Sequence, residues 1–136
     1  MSALNYTVFV EKVENGTKRQ SIRAMRKRPF QEGERLHHFT GMRTTGCRRL
    51  RAQHEDYAKR VRQIEIYFHS TTTGKMDSAW IMTVDGIDVR HEHAKRIALS
   101  DGFASLDLFL EFFFRAAKPQ TPLHRARCFV GQIVNW

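Results

Sequence analysis

The chain predicts a single mixed α+β domain. Strand-like and helix-like segments follow one another without the regular βαβ succession of a doubly wound sheet. Asp85-Gly86, set between the apolar runs Ala79–Val84 and Ile87–Val89, is the strongest short hairpin signal. With 136 residues, 41% of them hydrophobic, the chain is long enough to bury one core without disulfide or metal staples.

The elements can be justified in order. Tyr6, Phe9, Val10 and Val13 recur at helical spacing and Asn15-Gly16 offers a left-handed stop, which predicts a short helix over 6–14 with Gly16 as its C-cap. Gln20–Met25 and Arg35–Phe39 predict short strands separated by a loop punctuated by Pro29 and Gly33, and Gly41 and Gly46 bracket a second Arg-rich loop. Val61, Ile64, Ile66 and Phe68 predict a strand over 61–69, closed by the polar break Thr71-Thr72-Thr73-Gly74. Arg90–Leu99 predicts a helix ending before Asp101-Gly102. Ser105 can cap a second, whose Leu106, Phe109, Leu110 and Phe113 share one face and which Pro119 and Pro122 terminate. Cys128–Trp136 is apolar and β-prone, as a central strand requires. No repeat or linker divides the chain, so 1–136 is expected to be one domain.

Charge narrows the partners. Lys plus Arg total 23 against 14 Asp plus Glu, a net charge of +9, with a pI near 10.2. Between Thr17 and Arg62 fourteen Lys and Arg residues face only Glu32, Glu34, Glu55 and Asp56. Such a field attracts polyanions, and affinity gained by neutralising phosphates falls with salt. Nucleic acid is the expected partner, RNA or a nucleotide before DNA; a solvated basic face is the plainer alternative. Cys47 and Cys128 match no metal or redox spacing. No apolar run approaches a membrane span, and Met1–Tyr6 lacks the features of a signal peptide, so a cytoplasmic protein with no membrane partner is expected.

The most informative stretch is Asn15-Gly16-Thr17-Lys18-Arg19-Gln20-Ser21-Ile22-Arg23, where a turn glycine delivers a lysine, a hydroxyl and an arginine within eight residues. Like charges and partial burial both push a lysine downward, and a hydroxyl beside an unprotonated lysine is a nucleophile arrangement, provided a turn brings Lys18 and Ser21 together. Gly16-x-Lys18 followed by Arg23 resembles the GxKxxxxR signature of the ASCH family, part of the PUA-like superfamily. Arg26-Lys27-Arg28-Pro29, Gly33-Glu34-Arg35-Leu36, Phe39-Thr40-Gly41-Met42-Arg43-Thr44, Asp101-Gly102-Phe103 and the ending Cys128–Trp136 follow in the order seen in ASCH proteins of the bacteriophage and prophage type. That resemblance implies a curved, mostly antiparallel β-barrel with flanking helices and a motif-lined cleft.

The resemblance also implies chemistry. In bacterial ASCH proteins that hydrolyse the acetyl amide of N4-acetylcytidine, the motif lysine, a threonine three residues on and a downstream glutamate form the catalytic set. Lys18 matches the lysine, Ser21 replaces the threonine and keeps its hydroxyl, and Asp101 takes the acidic position with a side chain one carbon shorter. Three functions follow as expectations. The first is an RNA- or nucleotide-binding module using Lys18, Arg19, Arg23, Arg26, Lys27, Arg28 and Arg43. The second is a small amidohydrolase using Lys18, Ser21 and Asp101, and the third a phage-derived protein that engages a host protein. Arg43 would grip a phosphate or base edge through its planar fork, and Arg26-Lys27-Arg28 would form a phosphate rail.

Other clusters read more plainly. Adjacent His37-His38 would point to opposite strand faces and His91-Glu92-His93 do not converge on a helix, so no metal and no cofactor is expected. Phe109, Phe112, Phe113 and Phe114 exceed one buried stripe, which leaves part of the cluster for a partner or a barrel end. Trp80 and Trp136 are candidates for base stacking, though strand tryptophans more often pack inside. The oligomeric state is not legible.

Overall fold

The structure is a computed structural model that describes residues 1–70, 74–119 and 126–136. It is mixed α+β and mostly sheet. In chain order it comprises β1 (Ser2–Tyr6), α1 (Val10–Glu14), β2 (Gln20–Ala24), β3 (Arg35–Thr40), β4 (Arg48–Leu50), β5 (Asp56–Tyr57), β6 (Arg60–Ser70), β7 (Met76–Val84) and β8 (Ile87–Asp88). Then follow α2 (His91–Ser100), α3 (Leu106–Ala116), β9 (Lys118–Pro119) and β10 (Ala126–Asn135). The Thr71-Thr72-Thr73 break and Pro122 lie outside the described residues.

Two sheets form among these residues. In one, β1 runs parallel to β3, which pairs antiparallel with β4 and β5. In the other, antiparallel throughout, the order is β2-β10-β6-β7-β8, and β9 also pairs with β10. The expected closed barrel is not found. The outer edge of β2 explains part of this, because the Ile22 amide there donates to the Asp101 carboxylate (3.1 Å) instead of to another strand.

The first element departs from expectation. The predicted helix over 6–14 is only Val10–Glu14, and Tyr6 ends a strand in which Ser2, Leu4 and Tyr6 are buried in alternation. Periods of two and 3.6 overlap at Tyr6, and the helical match of Phe9, Val10 and Val13 hides the shorter one. The short strands β4 and β5 carry too few apolar residues to show a pattern. Elsewhere local chemistry holds. Asp85 and Gly86 both take positive φ (52° and 79°), as a primed hairpin turn needs, and the Ser105 hydroxyl accepts from the Leu108 amide at 3.3 Å.

β10 divides the core. Phe129 and Ile133 pack against α2 and α3 with Ile64, Ile66, Phe68, Phe109 and Phe113. Val134 and Trp136, on the other face, join Leu4, Tyr6, Leu36 and Leu50. A strand covered on both faces loses the usual alternation, which is why 128–136 is apolar almost without break. Gly131 lets β2 approach: a Cβ there would lie 2.2 Å from the Arg23 carbonyl oxygen and 2.8 Å from the Phe129 ring. Gly131→Ala is therefore expected to destabilise the fold by about 1–3 kcal/mol, read as a lowered urea midpoint; an unchanged midpoint would mean the two strands are not held this closely.

Candidate functional site

Lys18 emerges from the turn after α1 because Gly16 adopts φ 79° and the Lys18 amide donates to the Lys12 carbonyl at 2.8 Å. This points its side chain at the C-terminus of α2, where the Ile97, Ala98 and Leu99 carbonyls accept from the Asp101, Phe103 and Gly102 amides. The ammonium bonds the Asp101 backbone carbonyl and lies 3.1 Å from Asp101 Oδ1. Its neighbours cap the same end: Lys12 Nζ donates to the Gly102 carbonyl (2.7 Å) and Gln20 Nε2 to the Ile97 carbonyl (3.2 Å). Cations here complement the helix dipole, so Lys18 has a structural role whatever else it does.

The Lys18–Asp101 pair is nearly sealed, with Lys18 3% and Asp101 5% exposed. Burial pushes the Lys18 amine below the ordinary lysine range, against the opposing pull of Asp101. Burial likewise raises the Asp101 carboxyl to about 6, even though Lys18 and Gln20 act to lower it. Burial thus works against the charge on both groups.

Ser21 and Arg23 share the odd-numbered face of β2. Arg23 Nε donates to Ser21 Oγ (2.8 Å) and its Nη1 to the Asn5 carbonyl (2.7 Å), while the guanidinium lies 4.7 Å from the Tyr6 ring centroid. These residues and the Lys18–Asp101 pair line one cleft of about 90 Å³ that wraps the free edge of β2. Its aromatic wall is Phe9, Phe103, Phe112 and Phe113. Phe9 is held in the left-handed region (φ 59°), a strained position for a bulky residue. It stays there because Lys12 and Lys18 lie over its ring at 5.2 and 5.5 Å and Phe103 meets it edge-on. Gly102, at φ 105°, is required beneath, since a Cβ would come within 3.1 Å of that ring.

The other sequence candidates lie elsewhere. Arg19 does not line the cleft; it donates to the Trp136 carbonyl (3.1 Å) and lies 3.9 Å from Asp56. Arg26, Lys27 and Arg28 border a separate concavity of about 690 Å³ beside Ser2 and Glu34, at the other end of β1. Arg26 is fixed there over the Phe30 ring at 3.6 Å, with its Nη2 donating to Ser2 Oγ. Arg43 is exposed, with φ 65°, in a loop that reaches the cleft only indirectly, through the Met42 amide on Asn5 Oδ1. Trp136 is buried and Trp80 packs against the helix-side core.

A second polar network escaped the sequence. The Tyr6 hydroxyl contacts His38 Nδ1 at 2.9 Å, His38 Nε2 lies 3.3 Å from Asp56, and Arg51 grips Asp56 with two hydrogen bonds of 2.7 and 3.2 Å. Burial drives His38 down to about 4, so it is neutral. Burial also pulls Asp56 upward, but the Arg51 hydrogen bonds and charge hold it below the usual carboxylate range. Ser21 and Arg23 approach the same Tyr6 hydroxyl, which joins this network to the cleft. His38 stood out only as half of a His pair, and nothing local marked Tyr6 or Asp56 as its partners.

No protein-family model matches the chain, and neither a curated protein nor a solved structure matches it. No described helix is long and apolar enough to cross a membrane, and no described group of three His, Cys, Asp or Glu side chains could hold a metal ion.

The folded Asp101 carboxyl lies above its ordinary 3.8, so its contribution to stability is full below about pH 4 and is lost as pH rises through 6. Lys18→Met, which removes the neighbouring positive charge, is expected to move the Asp101 midpoint further above 6 in a carboxyl-carbon NMR titration. A midpoint falling toward 3.8 would contradict the buried pairing.

Proposed function

We propose that this is an ASCH-type protein of the PUA-like class whose cleft binds a nucleoside-like ligand and hydrolyses an amide on it, with an N4-acylated cytidine as the substrate class. The observation that carries this reading is the meeting of Lys18, Asp101 and Ser21 in one cleft, where burial works against the charge on both members of the Lys18–Asp101 pair. A base and an acid held together in a protected site are the groups that amide hydrolysis needs.

In this mechanism Lys18, as the free amine, takes a proton from Ser21 or from a water at the amide carbonyl. The resulting oxygen nucleophile adds to the carbonyl carbon. Arg23, which already donates to Ser21 Oγ, favours negative charge on that oxygen. Asp101 gives its proton to the departing exocyclic nitrogen as the C–N bond breaks, and Lys18 passes its proton to the Asp101 carboxylate to restore the pair. With Ser21 as nucleophile, water then cleaves the acyl-serine. Either route consumes one water and yields a carboxylic acid and the free amino group.

The second reading is an RNA-binding module, favoured by a specific observation: a concavity of about 690 Å³ carries three consecutive basic residues, Arg26, Lys27 and Arg28. Its charge would act on phosphates without the Lys18 cleft.

One comparison separates the two. Wild type is expected to release acetate from N4-acetylcytidine, and Lys18→Ala and Ser21→Ala to reduce the rate by at least about 100-fold. Lys18→Ala also breaks a buried pair and can cost about 3–5 kcal/mol, so Ser21→Ala, which leaves the α2 caps intact, carries the test with folding followed by circular dichroism. Absence of turnover, together with salt-dependent binding of single-stranded RNA that is lost in Arg26→Glu/Arg28→Glu, would replace the hydrolase with the binding module.

A further inference from the structure

The Lys18 cleft is too small for the ligand that its chemistry calls for. At about 90 Å³ it offers roughly three waters' worth of space, enough for an acyl amide but not for a ring with its sugar. Ligand pockets commonly occupy ~300–1,000 Å³. The cleft borders a groove of about 480 Å³, with which it shares Phe9, Phe103 and Phe112 as walls. The outer wall of this groove is α3.

α3 carries more apolar surface than its core packing uses. Leu106, Phe109, Leu110, Phe113 and Phe114 are buried, whereas Leu108 and Phe112, four residues apart and so on one face, remain 52% and 45% exposed. About half of each of these two large apolar side chains is left open beside a polar cleft. Phe112 is fixed against Phe103 (ring centroids 5.4 Å apart) and Phe113 (5.1 Å), so its orientation is set before any ligand arrives. The cations at the rim are already engaged, Arg115 with Glu111 and Lys12 with the Gly102 carbonyl. The groove therefore offers apolar walls rather than free charge.

We infer that this groove is the ring subsite of the same ligand: a planar heteroaromatic ring lies against Phe112 and Phe103, Leu108 covers its edge, and only its acylated exocyclic nitrogen enters the Lys18 cleft. The assignment rests on the amide chemistry proposed above and adds the part of the molecule that confers recognition. It favours an uncharged ring over a polyphosphate at this position. Leu108 lines the groove and not the Lys18 cleft, so its loss should affect binding and leave the chemical step alone, whereas Phe112 walls both and its loss is read in cytidine binding.

The test uses wild type, Leu108→Ala and Phe112→Ala, with cytidine binding read by calorimetry and acetate release from N4-acetylcytidine read as kcat and KM. Leu108→Ala is expected to melt with the wild type, and Phe112→Ala, which loses ring contacts with Phe103 and Phe113, is assayed below its own melting temperature. Phe112→Ala should weaken cytidine binding about tenfold, the scale of one base–aromatic stack, and raise KM by a similar factor; Leu108→Ala should act in the same direction and less, with kcat retained. Cytidine binding and KM unchanged in both variants, with acetate still released, would overturn the ring subsite and leave the hydrolase standing. Weakened cytidine binding in Phe112→Ala without acetate release in any protein would uphold the subsite and remove the hydrolase. Failure of wild type to bind either compound would remove both.

Discussion

The burial of one ammonium group against the end of a helix organises this protein. Lys18 Nζ, nearly sealed from solvent, bridges the backbone carbonyl and the carboxylate of Asp101 and thereby joins the α1 turn to the C-terminus of α2. The same carboxylate takes the Ile22 amide at the edge of β2, so three elements meet at one side chain. Lys12 and Gln20 close neighbouring carbonyls. A charged pair withdrawn from water is costly unless every remaining donor and acceptor is served, and here the helix end serves them. The arrangement also bears on chemistry, because burial that stresses both charges favours the transfer of one proton between them.

Asp56 shows the opposite outcome with the same functional group. It is as buried as Asp101, yet Arg51 grips it with paired hydrogen bonds and Arg19 stands nearby, so it stays ionised while Asp101 is raised to about 6. Carboxylates pushed apart in this way take different roles. Asp56 anchors neutral His38, and through Tyr6 that anchor steadies the floor beneath Ser21 and Arg23. The cleft thus has a fixed charged support on one side and a protonatable pair on the other.

Much of the fold was legible because its signals are local. The Asp85-Gly86 hairpin, the Ser105 cap, the Gly16 stop and the apolar run ending at Trp136 each record a constraint met within a few residues. The strand at Ser2–Tyr6 was not, since Tyr6 fits two periods and its pairing partner, β3, lies some thirty residues away. The site divides in the same way. Lys18, Ser21, Arg23 and Asp101 were named from the motif and do line one cleft, but that Lys18 caps α2, or that Arg23 rather than Lys18 is the group bonded to Ser21, depends on tertiary placement. Arg19, drawn to the Trp136 carbonyl, and Arg26–Arg28, in a separate concavity, show that proximity in sequence did not mean proximity in the site. Phe9, Phe103 and Phe112 were invisible as a wall because their alignment needs the strained turn at Phe9 and the missing side chain at Gly102.

The account depends most directly on the protonation of one nitrogen. A nitrogen-detected NMR titration of the Lys18 side chain reports it without reference to any substrate. A midpoint well below the ordinary lysine range, moving together with the Asp101 carboxyl, is the predicted result. An ammonium that titrates as an ordinary exposed lysine, independently of Asp101, would contradict the buried pair and everything built on it.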